Sequence, residues 1–183
     1  MFSKTARSFF PFLLLVILAL SGCTPVGKSV VWKQEKVDFS EFDTFFIRPA
    51  FNETGKPLDE KPLAQLTAYL KESFTAKKLM ITDDPEAKSR VLSIQSAILV
   101  YETKKGSGNR QYWSSGIRTA ECTIRTRLID KSNDRVVGEI VTAKAAGFGS
   151  LYSLDPYKKI LQVAAGEIAE NVGGIIQGEN RNR

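Results

Sequence analysis

Few side chains in this sequence are placed to do chemistry, and the densest group lies in LSGCTPVGKS, Leu20 to Ser29. From Gly22 the stretch satisfies the phosphate-loop pattern G-x-x-x-x-G-K-[ST], which would put Gly27, Lys28 and Ser29 around a nucleotide phosphate. Such a loop works only between a buried strand and a helix, because the loop amides and the helix N-terminus must converge on the phosphates. Neither flank fits. Phe9 to Leu20 is an apolar run broken only by Pro11, and VVWKQEKVDF downstream has no helical period and no capping residue. The chain also has no histidine, which excludes Ser-His-Asp and Cys-His catalysis, histidine zinc sites and histidine pH switches in their usual forms. No enzymatic activity, metal or cofactor is expected.

The same stretch has a second reading that uses Cys23. Lys4 and Arg7 supply a positive segment, Phe9 to Leu20 an apolar one too short to span a bilayer comfortably, and Leu20, Ser21 and Gly22 lead into the cysteine. This order resembles the signal sequence and lipobox of bacterial lipoprotein precursors. The resemblance implies diacylglyceryl transfer to Cys23, cleavage before it and acylation of the new amino group. Two or more acyl chains hold a protein durably on a membrane where one does not. Thr24 stands where an Asp is associated with inner-membrane retention, so the resemblance implies the outer membrane, periplasmic side. The alternative is an ordinary signal peptide with Cys23 as a chance neighbour.

The remainder has the length and the apolar content of one packed domain, with 43% hydrophobic residues in the 183-residue chain. Loss of residues 1–22 removes Lys4 and Arg7 and no acid, lowering the net charge of +6 by two. That charge is spread along the chain, and no nucleic-acid partner is expected. The expected organisation is a signal peptide over 1–22, a lipidated N-terminus and tether over 23–38, an α/β domain over 39–177 and a frayed tail over 178–183.

Within the domain the apolar pattern sets the elements. FDTFFIRP, Phe42 to Pro49, reads as a strand, and Leu63, Leu66, Leu70 and Phe74 make one stripe on a helix from Pro62 to Lys77. LMIT at Leu79 to Thr82 is a short strand. SRVLSIQSAILVYE places Leu92, Ile94, Ile98 and Val100 on one side of a half-buried antiparallel strand. In IRTAECTIRTRLID, Ala120, Cys122, Ile124 and Leu128 oppose Glu121, Thr123, Arg125 and Arg127, and the turn DKSND leads into RVVGEIVTAKA as a hairpin. Asp155-Pro156 opens a last helix with a stripe of Ile160, Ala164, Ile168, Val172 and Ile175, weakened at its end by Gly173-Gly174. The order β-α-β-β-β-β-α predicts an α+β fold, a mainly antiparallel sheet with two helices on one face. Val30, Val31 and Trp32 fit either an edge strand docked on that sheet or, through Trp32, a place at the lipid interface.

Cys122 reads as a small buried hydrophobe. Arg118, Arg125 and Arg127 with Glu121 read as solvated cross-strand pairs or, alternatively, as a basic face for anionic lipid or sugar phosphate. The connection from Glu102 to Gly116 is longer than a hairpin needs and carries Arg110, Tyr112 and Trp113, which suit a partner contact or a fold back onto the sheet. GSGNRQ and GFGSLY lack the third glycine of a dinucleotide fingerprint. Asp83, Asp84 and Glu86 lack the alternating ligand positions of a calcium loop.

VDFSEFDTFFI, LMITDDPEAKSRVLSIQSAI and LIDKSNDRVVGEI, with the amphipathic helix between them, resemble bacterial envelope lipoprotein domains of unknown function. In element order they are also similar to the N-terminal domain of the Tol-system propeller protein and to the curli secretion lipoprotein. That resemblance carries fold more than function. The lipobox, the absence of catalytic constellations and the aromatic segment lead to the expected function, a non-enzymatic outer-membrane lipoprotein that binds a protein partner as an accessory of an envelope transport, secretion or maintenance assembly. A periplasmic lipid or glycan carrier is the alternative. The oligomeric state is not legible in the sequence.

Overall fold

The alternation in RTAECTIRTRLID builds a strand at the heart of the antiparallel part of the sheet. The computed structural model describes residues 26–84, 90–105, 118–146 and 156–180. Its strands are β1 (Val26–Lys33), β2 (Thr44–Ile47), β3 (Phe51–Asn52), β4 (Met80–Ile81), β5 (Val91–Lys105), β6 (Arg118–Asp130) and β7 (Arg135–Ala146). The helices are α1 (Glu60–Ala76) and α2 (Pro156–Asn180), with a 3-10 turn at Phe39–Glu41. All strands join one seven-stranded sheet in the order β1-β7-β6-β5-β2-β4, with β3 also paired to β5. The four strands from β1 to β5 in that order are antiparallel neighbours, whereas β2 runs parallel to both β4 and β5. The fold is α+β with both helices on one face, as the element order predicts.

The apolar stripes meet where expected. Leu66, Leu70 and Phe74 of α1 and Ile160, Ala164, Ile168 and Val172 of α2 are fully buried against Phe45, Ile94, Ile98, Ile124, Leu128 and Ile140 of the sheet. Phe74 meets Phe45 edge-on, with ring centroids 5.6 Å apart. Emptying such a site costs about 3–5 kcal/mol. α1 begins two residues earlier than the stripe suggests, at Glu60, which keeps Pro62 in the first turn where its missing N–H has no helical partner to lose. α2 continues through Gly173-Gly174 to Asn180, into the segment expected to fray. Ile175 and Ile176 pack against the core there and offset the poor helix propensity of the glycines.

Two further differences have physical causes. Val26–Lys33, inside the segment read as a tether, is a full edge strand paired with β7 from Val26↔Ala145 to Lys33↔Gly138. Val30, Val31 and Trp32 dock on the sheet as part of that edge strand, and Val30 and Trp32 stay exposed on it. β5, expected to be half-buried, is buried on both faces over much of its first half: Val91, Ser93 and Ala97 are as inaccessible as Leu92 and Ile94. The small side chains lie among longer neighbours, Ser93 under Arg48 and Ala97 in register between Phe51 and Arg125. A register shift between Ile98 and Val100 then moves Val100 opposite Thr123, onto the face away from the helices and off the set to which alternation assigned it.

Candidate functional site

The helix-free face of the sheet is where the sequence placed its arginines, and these are largely engaged. Arg125 pairs with Glu53, and Arg127 Nε lies 3.4 Å from Glu139 Oε2. Arg48 donates from Nε to Ser93 Oγ at 2.8 Å and approaches Asp134 at 3.9 Å. Each of these three arginines is matched by a carboxylate, so the described part of the row is a cross-strand pairing pattern that offers little net positive field to an anionic ligand, and the Arg118 side chain lies outside the described residues.

A second polar group was not anticipated. Arg90 lies 4.7 Å over the Phe42 ring and pairs with Glu41 and with Asp130, 3.3 Å away. The Asp130 side chain is only 3% exposed and accepts hydrogen bonds from the Ser132 amide (2.9 Å), the Ser132 hydroxyl (2.7 Å) and Asn133 Nδ2 (3.3 Å). Burial by itself would raise the pKa of Asp130, but the bonds from Ser132 and the charge of Arg90 outweigh it and hold the carboxyl below its usual range. A carboxylate held ionised in this way cannot serve as a general acid near neutral pH. The group shapes one wall of a cleft of about 280 Å³, lined also by Gln34, Lys36, Asp38 and Arg135. Both signs of charge line it, and its chief visible work is to lock the turn between β6 and β7. The turn DKSND was legible as a connector, but its tie to Arg90, 40 residues away, carries no local signal.

The third feature is β1. On the helix side, Ser29 Oγ donates to Glu167 Oε1 at 2.6 Å and lies 2.8 Å from Thr142 Oγ1, while Lys144 pairs with the same Glu167. This network fastens the edge strand to α2 through its polar side chains. On the opposite side, Val30 and Trp32 stay 68% and 53% exposed. At the start of the strand, Gly27 with Thr123, Ala143 and Ala145 lines a shallow groove of about 250 Å³. Gly27 is required by close approach, since a Cβ there would run into the Ala143 carbonyl oxygen.

Cys122 is buried on the core face, and burial pushes its thiol up to about 12, which leaves essentially no thiolate for nucleophilic chemistry. Asp83 is taken by Lys71 Nζ at 2.9 Å, and Asp84 is exposed beside it. Among the described residues no group of three metal-ligating side chains comes together, and no helix is long and apolar enough to cross a membrane. Cys23, Arg110, Tyr112 and Trp113 lie outside the described residues, as does Glu86. The structure does fix where their flanks are. Val26, Ala145, Glu121 and Glu102 form one row across the sheet, and Lys105 and Arg118, which flank the segment with Arg110, Tyr112 and Trp113, lie a few residues beyond it. The first residues of β1 and the ends of that segment therefore share one end of the sheet.

No protein-family model matches the chain, and no curated protein does. Solved structures with the same fold do exist. The PelC dodecamer from Paraburkholderia phytofirmans superposes with a TM-score of 0.55 at 12% identity, covering 80% of this chain and 97% of that one. The hypothetical protein CT253 from Chlamydia trachomatis gives 0.54 at 13% identity over 75% of this chain and 99% of its own. Protein XCC0632 from Xanthomonas campestris, of the DUF330 family, gives 0.50 at 11% identity over 87% and 98%. At such identities the likeness is one of fold: bacterial chains are built, over nearly their whole length, on this sheet and its two helices.

Proposed function

We propose that this protein is a non-enzymatic lipoprotein, anchored through Cys23 in the outer membrane and facing the periplasm, that binds a protein partner of an envelope assembly. The observation that carries the reading is the ordered signal ending at Cys23: positive segment, apolar run, Leu20, two small residues and the cysteine. Among the described residues, the side chains singled out for chemistry are engaged elsewhere. Arg125 and Arg127 of the sheet are paired, Cys122 is locked as a thiol, and the space between helices and sheet is filled by fully buried side chains. That filled layer favours partner binding over the carrier reading, which needs an enclosed ligand. PelC, which shares the fold, is described as a dodecamer, and this supports a role exercised through protein contact.

Arg110, Tyr112 and Trp113 are the proposed contact residues. An aromatic pair beside an arginine is the composition found at the energetic centres of interfaces. Their segment leaves the sheet at the end where β1 begins, so the contact would be made close to the membrane. The test is a photo-crosslinking amino acid at position 112 or 113 of the full chain in cells. The proposal expects a discrete adduct with one envelope protein, lost with a Tyr112→Ala, Trp113→Ala double variant crosslinked from position 110. An anchored chain that yields no adduct from any of the three positions would overturn it.

A further inference from the structure

β1 is an edge strand whose outward face is dressed for a lipid surface. Lys28, Val30 and Trp32 alternate with Gly27, Ser29 and Val31, so all three stand on the side opposite the helices, in register with Ala143, Val141 and Glu139 of β7. Docking has paired the whole strand and still left Trp32 more than half exposed and Val30 more so. The charges beside them suit a membrane. β1 contains two lysines and no acid, and Glu139, across from Trp32, is neutralised by Arg127. Tryptophan prefers the headgroup boundary, where its ring is buried and its N–H finds a polar partner, and a lysine can reach past it to phosphate.

The length of chain before β1 supplies the rest. Only Thr24 and Pro25 separate Cys23 from Val26, and three residue steps reach at most ~11 Å. Trp32 lies farther along the strand by about 20 Å, at roughly 3.3 Å per residue. A domain standing upright on its anchor would hold Trp32 well clear of the bilayer, with an apolar patch in water. A domain leaning on β1 brings Lys28, Val30 and Trp32 to headgroup depth using no additional chain. Lysines on the edge also discourage strand addition by another protein.

We infer that, in the anchored protein, the outward face of β1 lies against the phospholipid surface, with Trp32 and Val30 at the interface and Lys28 at the headgroups. The inference rests on acylation of Cys23. It fixes the orientation of the domain, with β1 at the membrane and the β4 edge of the sheet farthest from it.

The experiment uses the full, lipidated chain reconstituted into vesicles of phosphatidylethanolamine and phosphatidylglycerol with brominated acyl chains. The chain has two tryptophans, so Trp113→Phe leaves Trp32 as the reporter. Should that variant fail to fold, the difference between wild type and Trp32→Phe gives the same signal. The expected result is a blue shift of Trp32 emission and loss of most of it to the bromolipid, both reduced by Val30→Asp. Palmitate incorporation is measured on the same preparation. Unquenched Trp32 in a chain that carries palmitate overturns the docked face and leaves the anchor standing. Unquenched Trp32 in a chain without palmitate overturns both. Trp32 protected from aqueous iodide but not quenched by lipid would mean that a second copy of the chain covers the face, which also contradicts the inference.

Discussion

Lys144 on β7 and Glu167 on α2 form an ion pair in which the lysine side chain is 6% exposed, and Ser29 of β1 donates to the same carboxylate. One acidic side chain thus ties the edge strand, its neighbour and the long helix together. Removing the charge by Glu167→Gln leaves a buried ammonium without its counterion, which costs about 3–5 kcal/mol for a fully buried pair and about 2–3 kcal/mol here, where Glu167 is partly exposed. Urea unfolding of the variant should show a lowered midpoint with an unchanged slope. The double variant Lys144→Met, Glu167→Gln should recover most of the loss. A single variant as stable as wild type would show that the pair does not hold the layers together.

Stability should fall in acid. Burial opposes the ionised forms of Glu167 and Asp130, but Lys144 and Ser29 in the first case, and Ser132 and Arg90 in the second, draw both carboxyls below their ordinary values. A depressed folded-state pKa gives stability that is fully present above the unfolded-state values, roughly 3.9 for Asp and 4.3 for Glu, and is lost as pH falls through the folded ones. Denaturation free energy should therefore be level above about pH 5 and decline below about pH 4. The decline should be shallower in Asp130→Asn. A steeper one, or a rise in acid, would contradict the assignment.

Lys78 is a site for stabilisation. α1 ends with Lys78 N bonded to Thr75 O at 2.9 Å and Leu79 N to Phe74 O at 3.0 Å, the paired bonds of a Schellman cap. Lys78 holds the left-handed position of that cap at φ +60°, where a Cβ is unfavourable by about 1 kcal/mol. Lys78→Gly should raise the melting temperature by a few degrees, as about 1 kcal/mol does in a domain of this size. A lower melting temperature would mean that the lysine side chain contributes more than the strain removes.

Gly27→Ala should loosen β1 from its first residue. The added Cβ would run into the Ala143 carbonyl oxygen, and the backbone of one strand must give way. Hydrogen exchange should speed up in the amides of β1 and in the facing part of β7 and leave α1 unaffected. Unchanged protection in β1 would show that the strand tolerates the shift.

Much of this architecture is legible residue by residue. The opposition of Ala120, Cys122, Ile124 and Leu128 to Glu121, Thr123, Arg125 and Arg127 predicts β6 and its two faces, and the spacing of Leu66, Leu70 and Phe74 predicts the buried side of α1. β1 is weaker in sequence because its support is remote: Ser29 depends on Glu167, 138 residues away. The shift at Ile98/Val100 and the tie between Arg90 and Asp130 are products of tertiary pairing and leave no periodic trace. The end of α1 is legible to within one residue, Lys77 against Ala76, although a lysine occupies the position where glycine would have announced the cap. The residues on which the proposed function rests, Cys23 and the segment around Tyr112 and Trp113, are legible only as composition and order.

The central claim is the anchor, and metabolic labelling tests it directly. Cells expressing the full chain are grown with labelled palmitate, alongside cells expressing Cys23→Ser. The account predicts label in the wild-type protein and none in the variant. Equal label in both, or none in either, would contradict it.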